Sequence, residues 1–237
     1  MRSQSSSDLA SFLKCASLFA DLDASALAVL ARVCHRMMVP KGKFLFCQAD
    51  CAQSAYIVYS GAISIILCTP DGRELVINEM RAGDCFGELA LLTGGLRSAS
   101  AMAREPSELI VIPRDEFLRE VQSQPKLLRH LIDTMAARLR ASTERESAFA
   151  FLDAPARLAR ILLQLDRAAS ASGYISNSQE EIAQRIGITR QTTAKILGQW
   201  RRKGWIVTGR GRIVVLDRVA LRRQTEEYSS ANHANPR

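Results

Sequence analysis

The chain has 237 residues, of which 47% are hydrophobic, enough for two small domains with their own cores, and this excludes a largely disordered protein. No apolar run approaches the roughly 18 residues that a membrane-spanning helix needs, and the Ser-rich N-terminus does not have the pattern of a secretory signal. We therefore expect a cytoplasmic protein with no membrane partner.

The positive charge of the chain is concentrated in its last third. Residues 154–237 carry 15 Lys and Arg against 6 Asp and Glu, a net charge of +9, whereas the preceding 153 residues carry a net charge of −1. A basic surplus confined to one segment predicts that this segment binds a polyanion, with a merely solvated basic face as the alternative.

The cysteines and histidines give little support to a metal site. All six cysteines lie within the first 85 residues and form no C-x-x-C pair, and the three histidines are far apart. We therefore expect no metal, no cofactor and reduced thiols, while a redox signal at Cys47, Cys51 or Cys85 stays open. No Ser/His/Asp set and no phosphate-loop lysine is present, so we expect no catalytic residues and no enzyme.

In chain order, a segment with helical spacing at residues 9–37 comes first, and short β-rich runs separated by turn residues follow it. Many short strands at nearly regular spacing predict an antiparallel roll or barrel. The runs are Ala55–Val58, Ile63–Cys68, Leu75–Asn78 and Leu109–Ile112.

A glycine turn within this roll forms the first candidate site. Gly87 precedes Glu88–Leu92, which is long enough for a turn of helix, and Arg97 follows. A helix that starts after a glycine offers backbone N–H groups to an anion, and an arginine adds a planar fork for phosphate oxygens. Because a carboxylate repels phosphate, we expect Glu88 to accept a hydrogen bond from a hydroxyl group of the ligand, such as a ribose 2′-OH.

From residue 124 the periodicity becomes helical, and no Gly or Pro interrupts Lys126 to Ala154. A heptad seam of about three repeats predicts that this helix, residues 126–149, pairs with a copy of itself, with packing on its own domain as the alternative. Asp153 and Pro155 then predict the cap and first turn of a new helix after a hinge. The seam consists of Leu128, Ile132, Met135, Leu139, Ser142, Glu146 and Phe149.

Residues 179–201 have the pattern of a helix, a tight turn at Gly187 and a second helix with Thr189 as its cap. The outward residues of the second helix suit base edges, since Arg and Lys match guanine and Gln matches adenine. A β-hairpin wing follows, whose arginines suit phosphate. A winged helix that binds proteins is the alternative. The predicted DNA-binding residues are Gln179, Thr189, Arg190, Gln191, Thr192, Lys195, Arg201, Arg210 and Arg212.

In the order of these motifs, the chain resembles the cyclic-AMP receptor protein and fumarate-nitrate regulator (Crp/Fnr) family, in its cyclic-nucleotide-binding branch. The resemblance implies that Glu88 binds the ribose 2′-OH and Arg97 the cyclic phosphate. Two hydroxyls on the long helix then contact adenine, one from each subunit, which favours cyclic AMP over cyclic GMP. The implied cyclic-nucleotide-binding residues are Gly87, Glu88, Leu89, Ala90, Arg97, Ser98, Ser142 and Thr143.

The predicted fold is therefore α+β. An N-terminal antiparallel β-roll of the jelly-roll type (residues 9–122) precedes a dimerisation helix and hinge (123–153) and a C-terminal winged helix-turn-helix (154–226). The resemblance further implies an allosteric homodimer that binds a pseudo-palindromic site on double-stranded DNA and contacts RNA polymerase. Where the family pattern has Arg-Glu-Thr followed by Arg, this chain has Gln191 and Lys195, so we expect a different operator preference.

Overall fold

In a computed structural model, which describes residues 2–68, 74–169, 173–209 and 211–233, the chain divides into two compact units, Met1–Leu139 and Arg140–Arg237. Among the described residues, no helix combines the length and apolar character needed to cross a membrane.

Two helices, α1 (Arg2–Cys15) and α2 (Ala24–Val33), open the first unit. The side chain of Asp23 accepts a hydrogen bond from the backbone N–H of Ala26 and so caps α2. The prediction of helix as far as residue 37 is wrong at its end, because His35–Val39 forms strand β1. Its backbone pairs with a strand about 70 residues later in the chain, a contact that local spacing does not reveal.

The β-roll consists of two four-stranded antiparallel sheets, which confirms the predicted architecture. After β1, the strands of the roll are β2 (Phe44–Phe46), β3 (Ser54–Ser60), β4 (Ile63–Cys68), β5 (Glu74–Met80), β6 (Cys85–Phe86), β7 (Ser100–Ala103) and β8 (Ser107–Pro113). All four predicted strand runs fall within observed strands. One sheet has the order β1-β8-β3-β6 and the other β2-β7-β4-β5.

Three helices accompany and follow the roll: α3 (Glu88–Thr93), α4 (Arg114–Ser123) and the long helix α5 (Pro125–Phe151). Leu127 and Leu131 of α5 are buried in the core of the first unit. One apolar residue of the predicted heptad seam, Met135, is half-buried. The other apolar residues of the seam stay exposed in the single chain. They are Leu128, Ile132, Leu139 and Phe149.

The second unit is built around a small helical core. Helix α6 (Ala154–Ala168) is capped by the Asp153 side chain, as predicted. A helix-turn-helix follows, and Ile182, Ile186 and Leu197 of its two helices are buried in the core of this unit. The other elements of the unit are α7 (Gln179–Ile186), α8 (Arg190–Arg202), β9 (Ile206–Gly209), β10 (Arg212–Val215) and α9 (Arg218–His233).

Candidate functional site

A glycine with a left-handed backbone conformation connects β6 to α3. Gly87 has φ +77° and occupies the position before the first residue of α3. The turn buries the side chain of Glu88, of which only 2% is exposed, instead of leaving it in solvent. Burying a carboxylate costs free energy unless hydrogen bonds or an opposite charge compensate it. The hydrogen bonds of Glu88 therefore indicate which kind of ligand the site can bind.

Arg97 is the second buried charge of the site, with 4% of the residue exposed. Its Nη1 donates to the carbonyl of Gly87 at 2.6 Å, and its Nη2 donates to the carbonyl of Ser54 at 2.7 Å. Burial lowers the pKa of the Arg97 guanidinium. Its Nε–H is buried and finds no hydrogen-bond partner among the described residues. One donor of the guanidinium is therefore uncommitted.

A third charged residue, Arg138 of helix α5, completes the site and was not predicted from the sequence. Its Nη1 donates to Glu88 Oε1 at 2.6 Å, and its Nη2 donates to the carbonyl of Cys85 at 2.5 Å. The other carboxylate oxygen, Glu88 Oε2, is buried and has no partner within the described part of the chain. A single arginine on an amphipathic helix gave no local signal of this contact.

The site thus contains one buried acceptor, Glu88 Oε2, and one buried donor, Arg97 Nε, that the described protein atoms leave unsatisfied. An unsatisfied buried polar atom costs about 1–3 kcal/mol, more for a charged group, so such atoms mark places where a ligand supplies the missing partner. A ligand that donates a hydroxyl to a carboxylate and offers anionic oxygens to a guanidinium fits both. A cyclic nucleotide, with its 2′-OH and cyclic phosphate, has both groups.

The other predicted contacts of this segment lie around the same turn. Ala90 is a buried residue of α3, whereas the side chains of Leu89 and Ser98 are exposed, so the Ser98 hydroxyl is accessible. Ser142 and Thr143 lie further along the chain in α5, and the Ser142 hydroxyl donates to Glu146 Oε1 at 3.3 Å. The role of Ser142 and Thr143 in binding a base stays a prediction.

Gly87 is the position where a minimal change tests this geometry. A Cβ at residue 87 would lie 2.7 Å from Nη1 of Arg97, and φ +77° is unfavourable for any side chain. We expect Gly87→Ala to displace the Arg97 guanidinium and to weaken nucleotide binding about 10-fold or more in a calorimetric titration. Gly94→Ala, also at positive φ but with nothing within 4 Å, is the matched control. Equal affinities of the two variants would contradict this geometry.

The helix-turn-helix is defined by hydrogen bonds at each of its ends. Ser178 and Glu181 form a reciprocal capping box at the start of α7, and Gly187, at φ +64°, ends the helix as predicted. The Thr189 side chain accepts from the backbone N–H of Thr192 and caps α8, also as predicted. These local bonds set the direction of α8 and thereby the face that it presents to solvent.

Three predicted base-reading side chains, Arg190, Gln191 and Lys195, are exposed in the first two turns of α8. Arg190 also lines a cavity of about 270 Å³ together with Gln179 and Arg212, so the structure brings three predicted DNA-binding residues to one surface. The Arg212 guanidinium lies 4.6 Å from the ring centroid of Tyr174. This surface is polar and carries Glu180 beside the two arginines, and its role in binding DNA stays a prediction.

The other residues predicted to contact DNA differ in their surroundings. The hydroxyls of Thr189 and Thr192 lie 2.9 Å apart, so both take part in capping α8. Arg201 is exposed in the last turn of α8. Arg210, also predicted to contact DNA, lies outside the described residues.

Comparisons with known proteins identify one domain in each of the two units. Residues 36–124 match a model of the cyclic nucleotide-binding domain, and residues 156–224 match a model of the Crp-like helix-turn-helix domain. The chain is 30% identical over 215 residues to a CRP-like cAMP-activated global transcriptional regulator of Mycobacterium tuberculosis, which covers 88% of this chain and 96% of the relative. It is also 30% identical over 187 residues to the cyclic AMP receptor protein of Thermus thermophilus, covering 79% of this chain and 86% of the relative.

Among solved structures, the c-di-GMP responsive global regulator CLP of Xanthomonas campestris superposes with a TM-score of 0.74 at 26% identity. The superposition covers 81% of this chain and 99% of that structure.

Proposed function

Because the chain belongs to the Crp/Fnr family of transcription regulators, which bind DNA and are not enzymes, we propose that it is a homodimeric regulator whose affinity for operator DNA is raised by cyclic AMP. The observation that carries the proposal is the pair of unsatisfied buried atoms, Glu88 Oε2 and Arg97 Nε, in the cyclic nucleotide-binding domain. A ribose 2′-OH and a cyclic phosphate would satisfy them.

In this proposal the effector is held by the turn before α3 and by helix α5. Glu88 accepts from the 2′-OH, Arg97 and Ser98 donate to the cyclic phosphate, and backbone groups of Gly87, Leu89 and Ala90 line the phosphate. The choice of cyclic AMP over cyclic GMP is supported by the named relatives, which are cAMP-activated, and by the hydroxyl pair Ser142 and Thr143 on α5.

The proposed dimer forms through the helix at residues 126–149. Its support is the exposed heptad seam, since Leu128, Ile132 and Leu139 would otherwise leave an apolar stripe in water. A two-fold dimer would present two α8 helices to half-sites one DNA turn apart, about 34 Å. RNA polymerase is the further partner that we propose, because transcription regulators of this architecture act on the polymerase bound nearby.

Gln191 is proposed to select a base within each half-site. Helix α8 contains no acidic residue, so it offers no carboxylate to the amino group of cytosine. The amide of Gln191 can instead form a bidentate pair with adenine.

We expect Gln191→Glu to shift the preferred base at one position of the operator, with a change in discrimination of about 10-fold. Selection from a randomised DNA library, carried out with both proteins, measures this. Ala194→Ser, an exposed change in the same helix, is the control and should leave the selected sequence unchanged. An identical selected sequence for wild type and Gln191→Glu would show that this side chain does not read a base.

The proposed function is tested by fluorescence anisotropy with operator fragments obtained from that selection. Titrations are run without nucleotide and with saturating cyclic AMP, cyclic GMP or c-di-GMP, the last because a structural neighbour responds to it. We expect cyclic AMP alone to raise the DNA affinity about 10-fold or more, within the usual range of allosteric coupling. An affinity that is the same in all four conditions would contradict nucleotide control.

A redox signal at the cysteines is the second candidate, and one observation favours it. Cys47 and Cys51 are exposed at the ends of a segment whose Ala49 N–H donates to the Arg97 carbonyl and whose Asp50 carbonyl accepts from the Arg97 N–H. Chemical modification of either thiol could therefore disturb Arg97. In this alternative, a thiol oxidant changes DNA affinity without any nucleotide.

The thiols should separate into two groups in a labelling experiment. Burial, together with Glu116, raises the pKa of Cys34 to about 12, and burial together with Glu88 raises that of Cys85 well above its usual value. Since the thiolate is the reactive form, we expect these two to resist iodoacetamide at pH 8 in the folded protein. Cys47 and Cys51 should be labelled within minutes, as judged by peptide mass spectrometry. Rapid labelling of Cys85 would indicate that the site opens.

A further inference from the structure

The Arg97 guanidinium lies over aromatic rings. Its Cζ is 4.1 Å from the ring centroid of Phe46 and 5.6 Å from that of Tyr56. The two rings are stacked on each other with centroids 5.8 Å apart, and Tyr56 stacks in turn on Phe86 at 5.4 Å. Arg97 therefore contacts both an aromatic cluster and two backbone carbonyls.

The cluster joins the two sheets of the β-roll. Tyr56 of β3 and Phe86 of β6 are register partners in one sheet, whereas Phe46 ends β2 at the edge of the other. The segment after Phe46 is fixed to Arg97 by the backbone bonds of Ala49 and Asp50, at 2.8 and 2.9 Å. Because both the ring and the segment that follows it contact Arg97, the position of β2 determines where the guanidinium lies.

The choice of aromatic partners has an electrostatic consequence. Among the described residues, no carboxylate lies within ion-pair distance of Arg97, although the residue is 4% exposed. A carboxylate partner would neutralise the guanidinium and compete with an anionic ligand for it. The negative face of an aromatic ring stabilises the buried cation without cancelling its charge. The ring contacts and the two hydrogen bonds to the Gly87 and Ser54 carbonyls together restrict the position of the guanidinium, and with it the direction of the Nε–H.

We propose that Phe46 is a positioning residue of the nucleotide site, which holds the Arg97 guanidinium in place without a direct ion pair so that its charge is available to the phosphate of the ligand. The inference rests on the proposed nucleotide function, since it concerns the same arginine. It assigns a role in binding to an aromatic side chain that has no need to touch the ligand itself.

The test compares three variants of the full-length protein by calorimetric titration with cyclic AMP. Phe46→Leu removes the ring face, and Phe46→Tyr keeps it. Phe44→Leu is the matched control, because Phe44 belongs to the same strand but is exposed, and the rings over Arg97 are those of Phe46 and Tyr56. We expect Phe46→Leu to weaken binding about 5- to 20-fold, the range of a cation–π contact, and the other two to stay within about 2-fold of wild type.

A second readout follows Arg97 directly without ligand. The Nε–H resonance of Arg97, assigned by its loss in Arg97→Lys, should be shifted by the Phe46 ring in wild type and in Phe46→Tyr, and should move in Phe46→Leu. Unchanged affinity of Phe46→Leu, or equal losses in Phe46→Leu and Phe46→Tyr, would overturn the inference while leaving the proposed function intact. No binding of cyclic AMP by the wild type would overturn both.

Discussion

Replacing Arg97 with alanine is expected to weaken cyclic AMP binding by about 100-fold or more, the cost of losing charge-assisted hydrogen bonds in a buried site. The substitution removes the buried guanidinium of Arg97 from the site and leaves the Gly87 and Ser54 carbonyls without their donors. Calorimetric titration measures the affinity, and circular dichroism establishes that the variant is folded. We expect Arg97→Lys to recover only part of the affinity, because an ammonium keeps the charge but has neither the planar fork nor the flat face.

The control for this substitution is Arg36→Ala. Arg36 also lies over an aromatic ring, with its Cζ 4.1 Å from the centroid of Tyr59, and pairs with Glu108, but it belongs to β1 and has no contact with the turn before α3. Its loss should leave nucleotide affinity unchanged. If Arg97→Ala bound cyclic AMP as tightly as wild type does, the phosphate would have to bind elsewhere and the proposed site would be wrong.

Placing a charge in the seam of α5 is expected to have the second large effect. Ile132→Glu puts a carboxylate at a position that is 55% exposed in the single chain but apolar and central in the proposed dimer. Two such carboxylates facing each other would be desolvated and mutually repulsive, so we expect monomers in analytical ultracentrifugation. Since a monomer offers one α8 where the operator has two half-sites, DNA affinity should fall about 100-fold or more.

Val29→Glu is the matched control for the seam. Val29 is 45% exposed in α2 and lies outside the long helix, so the same added charge should leave both the dimer and its DNA affinity in place. A dimeric Ile132→Glu, or a wild-type protein that sediments as a monomer at micromolar concentration, would contradict the proposed interface.

Those features that depend on neighbouring residues were predictable from the sequence. Asp153 before Pro155 and Thr189 before α8 are capping signals that act within three residues, and both caps are present. Gly187 supplies the left-handed turn between the two helices of the helix-turn-helix. The strand runs of the roll were visible for the same reason, because apolar residues cluster between turn residues in each of them.

The missed features depend on contacts between distant parts of the chain. Strand β1 has its hydrogen-bond partners in β8, so nothing in His35–Val39 itself distinguishes it from the end of the preceding helix. Arg138 is 50 residues from Glu88, and Phe46 is 51 residues from Arg97 in the sequence. Neither residue belongs to a motif, and only the closed roll places them beside the two charges that the sequence did identify.

The central claim is that the turn before α3 binds a cyclic nucleotide, and calorimetric titration of the purified wild-type protein with cyclic AMP and, separately, with cyclic GMP tests it most directly. We expect saturable micromolar binding of cyclic AMP at one site per protomer and weaker binding of cyclic GMP. Heats indistinguishable from dilution for both nucleotides would contradict the claim, and the β-roll would then serve another signal, with the exposed thiols Cys47 and Cys51 as the next residues to test.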